Sequence, residues 1–135
     1  MSIFDAIGIA GSGVTVYRKV LDAVSDNIAN LNTARRTSEN AFQARYVIAQ
    51  SVDYGSGQGG ATVRGVTFGD AVGRVVYDPQ HPLADEDGNV RLPDIDLGDQ
   101  MATLLMAQRA YQANLAVVDR AREAYLQAIQ LGRSA

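Results

Sequence analysis

The chain has 135 residues, 47% of them hydrophobic and 20% charged, with a formal net charge of -3; that is the size and make-up of one ordinary folded domain. Its acidic balance leaves no basic stripe to meet phosphates, which argues against nucleic acid as the main partner. It contains no cysteine, so disulfides, thiolate zinc sites and cysteine nucleophiles are excluded.

The N-terminus has no cationic start, and Asp5 interrupts its apolar residues, so it does not read as a secretory signal. The uncharged stretch from Ala6 to Tyr17 is too short to cross a bilayer. The expectation is a protein that is soluble, or that leaves the cytoplasm without a cleaved signal, and that does not insert into the membrane.

Ile7, Val14, Leu21 and Ile28 recur every seven residues, each followed three later by Ala10, Tyr17, Val24 and Leu31. This a/d pattern predicts a helix lying along another helix. A minor stripe of Ile9, Val16, Val20 and Ala23 sits on another side of the same helix. Gly8, Gly11 and Gly13 do not form a dinucleotide fingerprint, because the order is wrong and no strand precedes them. Each costs about 1 kcal/mol against alanine in a helix interior, which predicts a weak start that orders on assembly.

After Leu31 the helical period stops, and Asn30, Asn32, Thr33 and Thr37 are turn and cap residues. Phe42, Ala44, Tyr46 and Ile48 alternate as in a strand, a glycine-rich stretch from Gly55 to Gly60 reads as a hairpin connection, and Val63–Phe68 and Arg74–Tyr77 read as further short strands. Asp87-Gly88, between Tyr77 and the run Val90, Arg91, Leu92, suggests a hairpin turn. His81, the only histidine, lies in a loop with no nucleophile or orienting carboxylate indicated, so structural use in a turn is the default and catalysis the weak alternative. The acidic turn at Asp85, Glu86, Asp87 and Asn89 fails the calcium-loop spacing. Asp94, Asp96 and Asp99 suit the N-terminal end of a helix dipole.

Leu97 to Leu131 reads as one long helix. Met101, Leu115 and Ile129 share a heptad position with Gln108 and Arg122, and Leu104, Tyr111, Val118 and Tyr125 follow three residues later. This is a second four-heptad seam and the natural partner of the first. A separate stripe of Met106, Ala110, Ala113, Val117, Ala121, Ala124, Ala128 and Leu131 predicts another helical neighbour or simply reflects alanine's helix propensity. Arg122 is expected near Asp22 or Asp26 if the register allows. The fold class expected is therefore mainly α with a small β insert: a helix over residues 1–33, a β- and loop-rich segment over 34–96, and a long helix over 97–135, with the two helices paired as a coiled coil.

The run Asp26-Asn27-Ile28-Ala29-Asn30-Leu31-Asn32-Thr33 resembles the N-N-I-A-N-x-N-T motif of the bacterial flagellar axial proteins, with Asp26 in place of the first asparagine. Val76-Tyr77-Asp78-Pro79-Gln80-His81-Pro82, Asp87-Gly88-Asn89-Val90 and Leu92-Pro93-Asp94-Ile95-Asp96-Leu97 are similar to segments of that family's proximal-rod type. So are Ala107-Gln108-Arg109-Ala110-Tyr111-Gln112-Ala113-Asn114 and the closing Ala128-Ile129-Gln130-Leu131-Gly132-Arg133. Asn89 departs from a usual tyrosine, Asp94-Ile95 from asparagine-valine, and residues 34–60 match little.

The resemblance implies a structural subunit of the flagellar rod, not an enzyme, with no cofactor and no metal. It implies that the terminal helices form an inner layer of a hollow tube while the middle faces outward. Implied partners are other rod proteins, membrane-ring and rod-adaptor proteins, copies of the chain and, during secretion, the export apparatus. The seam residues are then expected to close each subunit, and the Ile9–Val16–Val20 and Met106–Ala128 stripes to meet neighbours. Three alternatives remain at this stage: another rod protein of the same family, a free-standing helical adaptor, and a small hydrolase using His81.

Overall fold

The computed structural model describes residues 2–55 and 58–133. In chain order its elements are α1 (Ile3–Ala29), β1 (Arg45–Gly55), β2 (Gln58–Phe68), β3 (Arg74–Tyr77), β4 (Asn89–Leu92) and α2 (Leu97–Arg133). Two helices thus flank a small antiparallel-strand region, a mainly helical fold with a β insert.

α1 begins at a capping box. The Asp5 amide donates to Ser2 Oγ at 3.2 Å, and the Ser2 amide donates to Asp5 Oδ2 at 2.6 Å. These bonds from Ser2 hold the Asp5 carboxyl below its ordinary pKa and keep a negative charge at the positive end of the helix. Helix therefore runs from Ile3 straight through Gly8, Gly11 and Gly13, where glycine content alone predicts a weak start. At the other end the Asn30 side chain donates to the Asp26 carbonyl at 2.9 Å, and Thr33 Oγ1 donates to Asn30 Oδ1 at 3.2 Å. These bonds turn the chain out of the helix.

α2 packs antiparallel on α1. Asn27 meets Gln100, Gly13 faces Asn114, and the Phe4 and Tyr125 rings meet edge-on with centroids 5.3 Å apart. The strip of α2 that meets α1 is Gln100, Ala107 and Asn114, with half-buried Ala121 continuing the seven-residue spacing and half-buried Leu104, Tyr111 and Val118 beside it. This corrects the expected seam. Met101 and Leu115, 43% and 37% exposed, and Ile129, Gln108 and Arg122 all lie on an outer flank of α2. The physical reason is that one column of the true contact is polar or small, and an apolar heptad pattern passes over it. On α1, Ala10 and Val24 are buried and Ile7, Val14, Tyr17, Leu21 and Ile28 are half-buried, as is Leu31 in the turn that follows.

β1 and β2 form an antiparallel hairpin paired from Arg45↔Phe68 to Gly55↔Gln58, with register shifts between Ile48 and Ala49 and between Asp53 and Gly55. Its tip, residues 56 and 57, lies outside the described residues. The strand expected over 42–48 starts instead at Arg45 and runs through Gly55, and Gly59 and Gly60 belong to β2 rather than to a loop. The hairpin lies on α1, where Ser12 Oγ accepts from the Ala61 amide at 2.9 Å and donates to the Ile9 carbonyl at 2.6 Å. A side chain at Gly60 would collide with that hydroxyl, so the missing Cβ allows the docking.

β3 and β4 pair from Arg74↔Leu92 to Tyr77↔Asn89. Their connection spans residues 78–88 and is longer than the two-residue turn suggested by Asp87-Gly88. Asp85 organises it, accepting from the Asn89 amide at 2.8 Å, the Thr37 hydroxyl at 2.8 Å and the Asp87 amide at 3.1 Å. Ala10, Val16, Val24 and Ala107 are buried on the helices, and Ala41, Ala44, Val90, Pro93 and Ile95 are buried in the middle segment.

Candidate assembly surface and its junction

Asn27 is the point where three elements join. Its side chain is fully buried, at 0% exposure. Oδ1 accepts from the Arg45 amide at 2.8 Å, while Nδ2 donates to the Arg45 carbonyl at 3.0 Å and to Gln100 Oε1 at 2.9 Å. The amide thus pairs with one residue of β1 as a neighbouring strand would, and spends its remaining N–H on α2. Beside it, the Arg45 guanidinium meets Asp26 Oδ2 at 2.7 Å. A buried polar group is tolerable when its bonds are satisfied, and here they also fix where the hairpin and α2 leave α1.

The motif residues divide by place. Asn27, Asn30 and Thr33 form the helix exit and the junction, whereas Ala29 and Asn32 are exposed. Ile28 is half-buried on α1. In the long loop the Asp78 amide donates to the Gly88 carbonyl at 2.8 Å, and His81 Nδ1 accepts from the Leu83 amide at 3.1 Å. His81 is therefore engaged in a turn. Gly88 is buried close to Pro79 and the Tyr77 ring, while Pro82 is exposed. On α2, Tyr111 and Asn114 face α1, and Arg109 and Ala113 face out.

Sequence reasoning passed over Gln100, Ala107, Ser12, Arg45 and Arg91. Arg91 donates from Nη2 to the Thr37 carbonyl at 2.6 Å and from Nη1 to the Val72 carbonyl, tying two loops to β4. The available signal for Ser12 was its position as the one hydroxyl among the three N-terminal glycines. Arg122 lies at the opposite end of the helix pair from Asp22 and Asp26, and Asp26 pairs with Arg45 instead.

The stripe on α1 expected to meet neighbours is largely used inside the subunit. Val16 is only 6% exposed, beneath Ala61 and Val63 of the hairpin, and Val20 lines a groove with Tyr17, Thr103 and Ala107. Ile9 borders a recess shared with Ala10 and Asn114. On α2, Ala110 and Ala121 are half-buried beside α1, while Met106 at 68% exposure, Ala113, Val117, Ala124 and Ala128 are open. Each stripe read from the α2 sequence thus divides between contact and surface: Leu104, Tyr111 and Val118 of one and Ala110 and Ala121 of the other lie beside α1, while Met101 and Leu115 of the first and Met106 and Val117 of the second stand on opposite flanks.

An open groove of about 390 Å³ between α1 and the hairpin is lined by Lys19, Asp22, Asp26 and Arg45 among apolar neighbours. Among the described residues no group of three His, Asp or Glu is placed to hold a metal ion, and no helix is long and apolar enough to cross a membrane.

Comparison with known proteins agrees with a packing and assembly role. Residues 86–131 match the family described as flagellar basal body rod FlgEFG protein C-terminal. The chain is 33% identical over 135 residues to the flagellar basal-body rod protein FlgC of Salmonella typhimurium, covering 98% of this chain and 100% of that one. It is 28% identical over 150 residues to FlgC of Borreliella burgdorferi, covering 97% and 98%. It is 35% identical over 127 residues to FlgC of Agrobacterium fabrum, covering 91% and 90%. The chain belongs to the FlgC family of flagellar basal-body rod proteins.

Proposed function

We propose that this rod subunit works mechanically, with its helix pair as the inner, coiled-coil layer of a hollow tube and the middle segment, residues 34–96, facing outward. The tube transmits torque and conducts exported subunits. The observation that carries this reading is that α2 keeps apolar side chains on both flanks after α1 has packed on it. One flank holds Met101, Leu105, Leu115 and Leu126; the other holds Met106 and Val117 with Ala113 and Ala124. Each medium apolar side chain removed from water contributes about 1.5–3 kcal/mol before ordering costs, so four on the first flank and two among small alanines on the second, repeated through a lattice, stiffen the assembly.

The seam of α1 adds to one of these flanks. By helical spacing Ile7, Val14 and Leu21 lie on the side away from Ser12, Val16 and Lys19, which the hairpin covers. In an antiparallel pair that side is also the side of Met101 and Leu115. Neighbours on this face are copies of the chain and other rod proteins. Membrane-ring and rod-adaptor proteins meet the ends and outside of the tube, and the chain reaches it through the flagellar export apparatus. The subunit has no catalytic task in this scheme.

The experiment is an aspartate scan of the two α2 flanks. Leu115→Asp and Ala113→Asp subunits should still be exported and fold, yet be missing from purified basal bodies. Normal rods and normal swimming with either variant would reject the corresponding flank.

A further inference from the structure

The hairpin is held to α1 at two places, and only one of them involves α2. Near its tip, Ser12 Oγ takes the Ala61 amide, and both bonds of that hydroxyl stay within α1 and β2. At its base, Arg45 is gripped by Asn27, whose second N–H is spent on Gln100 of α2. The surroundings repeat the arrangement: Val20 and Val24 of α1, Tyr46 and Val47 of β1 and Thr103 of α2 line one small recess.

We propose that Asn27 is a coupling residue, making firm docking of the hairpin base conditional on pairing of the two terminal helices. With α2 in place, Gln100 fixes the Asn27 amide plane, and both edges of Arg45 find their partners. With α2 displaced, Asn27 regains its rotamers, and water competes for Oδ1 and Nδ2. The two-bond grip on Arg45 then loosens while the Ser12 anchor is unaffected. The coupling is reciprocal: a docked hairpin base holds Asn27 ready for Gln100 and so favours the paired helices. In the assembly proposed above, the outer hairpin surface is then presented in its final position only by subunits whose helices have closed. That consequence rests on the proposed function; the coupling itself does not.

The test is amide hydrogen exchange on the full chain. Gln100→Met removes the acceptor at similar length, and Gln100→Glu keeps one. In Gln100→Met the Arg45 amide should lose roughly tenfold of its protection while the Ala61 amide keeps its own, the size expected for one buried hydrogen bond. Gln100→Glu should restore Arg45. Equal losses at Arg45 and Ala61, or no loss at Arg45, would overturn the proposal. Should Gln100→Met fail to fold, the unaltered chain in low urea decides the matter. Arg45 should open together with the first turns of α2, and an Arg45 amide that opens while those turns stay protected defeats the coupling.

Discussion

Gly13 and Asn114 occupy each other's space: a Cβ at position 13 would stand 2.7 Å from Asn114 Oδ1. Asn114 is itself tethered, its Nδ2 donating to the Ala110 carbonyl at 2.8 Å. Gly8 and Gly11, in the same helix, have nothing within 4 Å of an added Cβ. One reading of the three glycines as helix weakeners therefore separates into two cases. Gly8→Ala and Gly11→Ala should each stabilise the subunit by about 0.5–1 kcal/mol through helix propensity and a less free unfolded chain. Gly13→Ala should fall about 1–3 kcal/mol below them through overpacking. Urea midpoints measure the order, and Asn114→Ala placed on Gly13→Ala should recover most of the difference. A Gly13→Ala subunit as stable as Gly8→Ala would show that Asn114 gives way freely.

How far the fold was legible depends on which physical signal each part uses. β3 falls on its expected residues because Arg74–Tyr77 is a short apolar run between a glycine and a proline. Both helices are visible because their apolar periods are long. The face of α2 that meets α1 was not, because Gln100, Ala107 and Asn114 carry little hydrophobic signal. Their fit depends on partners such as Asn27 and Gly13, which lie 73 and 101 positions away in the chain. The motif at Asn27 was recognisable as a family mark, yet its bond to Gln100 and its grip on the Arg45 backbone needed the three-dimensional arrangement. Val16 illustrates the same limit from the other side: its stripe was evident, but not that the hairpin folds back to cover it.

Asp85 ties the acid response of the middle segment to one carboxylate. The Asn89 amide, then the Thr37 hydroxyl and the Asp87 amide, hold its pKa below the ordinary 3.8. A carboxyl whose folded pKa is depressed contributes stability that is present above its unfolded value and lost as pH falls through the folded one. The subunit should therefore hold its stability down to about pH 4 and lose part of it below, in the range where Asp85 takes up its proton. Asp85→Ala should lower the urea midpoint at neutral pH and flatten the dependence below pH 4. An unchanged acid slope in that variant would assign the response to other carboxyls.

Arg91 supports two carbonyls from one guanidinium, those of Thr37 and Val72. A lysine places one compact ammonium where a planar fork is required, so Arg91→Lys should not substitute for it. The expected loss is about 1–2 kcal/mol, from one or two charge-assisted hydrogen bonds. Exchange should rise first at the Arg35 and Ala41 amides, which pair with the Arg91 and Ala71 carbonyls. Thermal unfolding together with exchange at those two amides checks both the size and the place of the effect.

Val16 and Leu115 distinguish surface used for folding from surface left for assembly. Val16 is buried under the hairpin, and Leu115 stands on the open flank of α2. An aspartate at position 16 puts an unpaired charge into an apolar contact and should cost more than about 3 kcal/mol, enough to unfold a marginal subunit. An aspartate at position 115, where leucine is 37% exposed at the edge of the helix contact, can still reach water and should cost about 1–2 kcal/mol, clearly less than at position 16. In cells the two variants should look alike, with no rods, but for different reasons. Purified Leu115→Asp should give the helical circular dichroism of the parent and a cooperative transition at a modestly lower urea midpoint, and Val16→Asp should give neither. If Leu115→Asp unfolds as well, the flank is part of the subunit's own core. If it folds and still builds rods, neighbours do not use that flank.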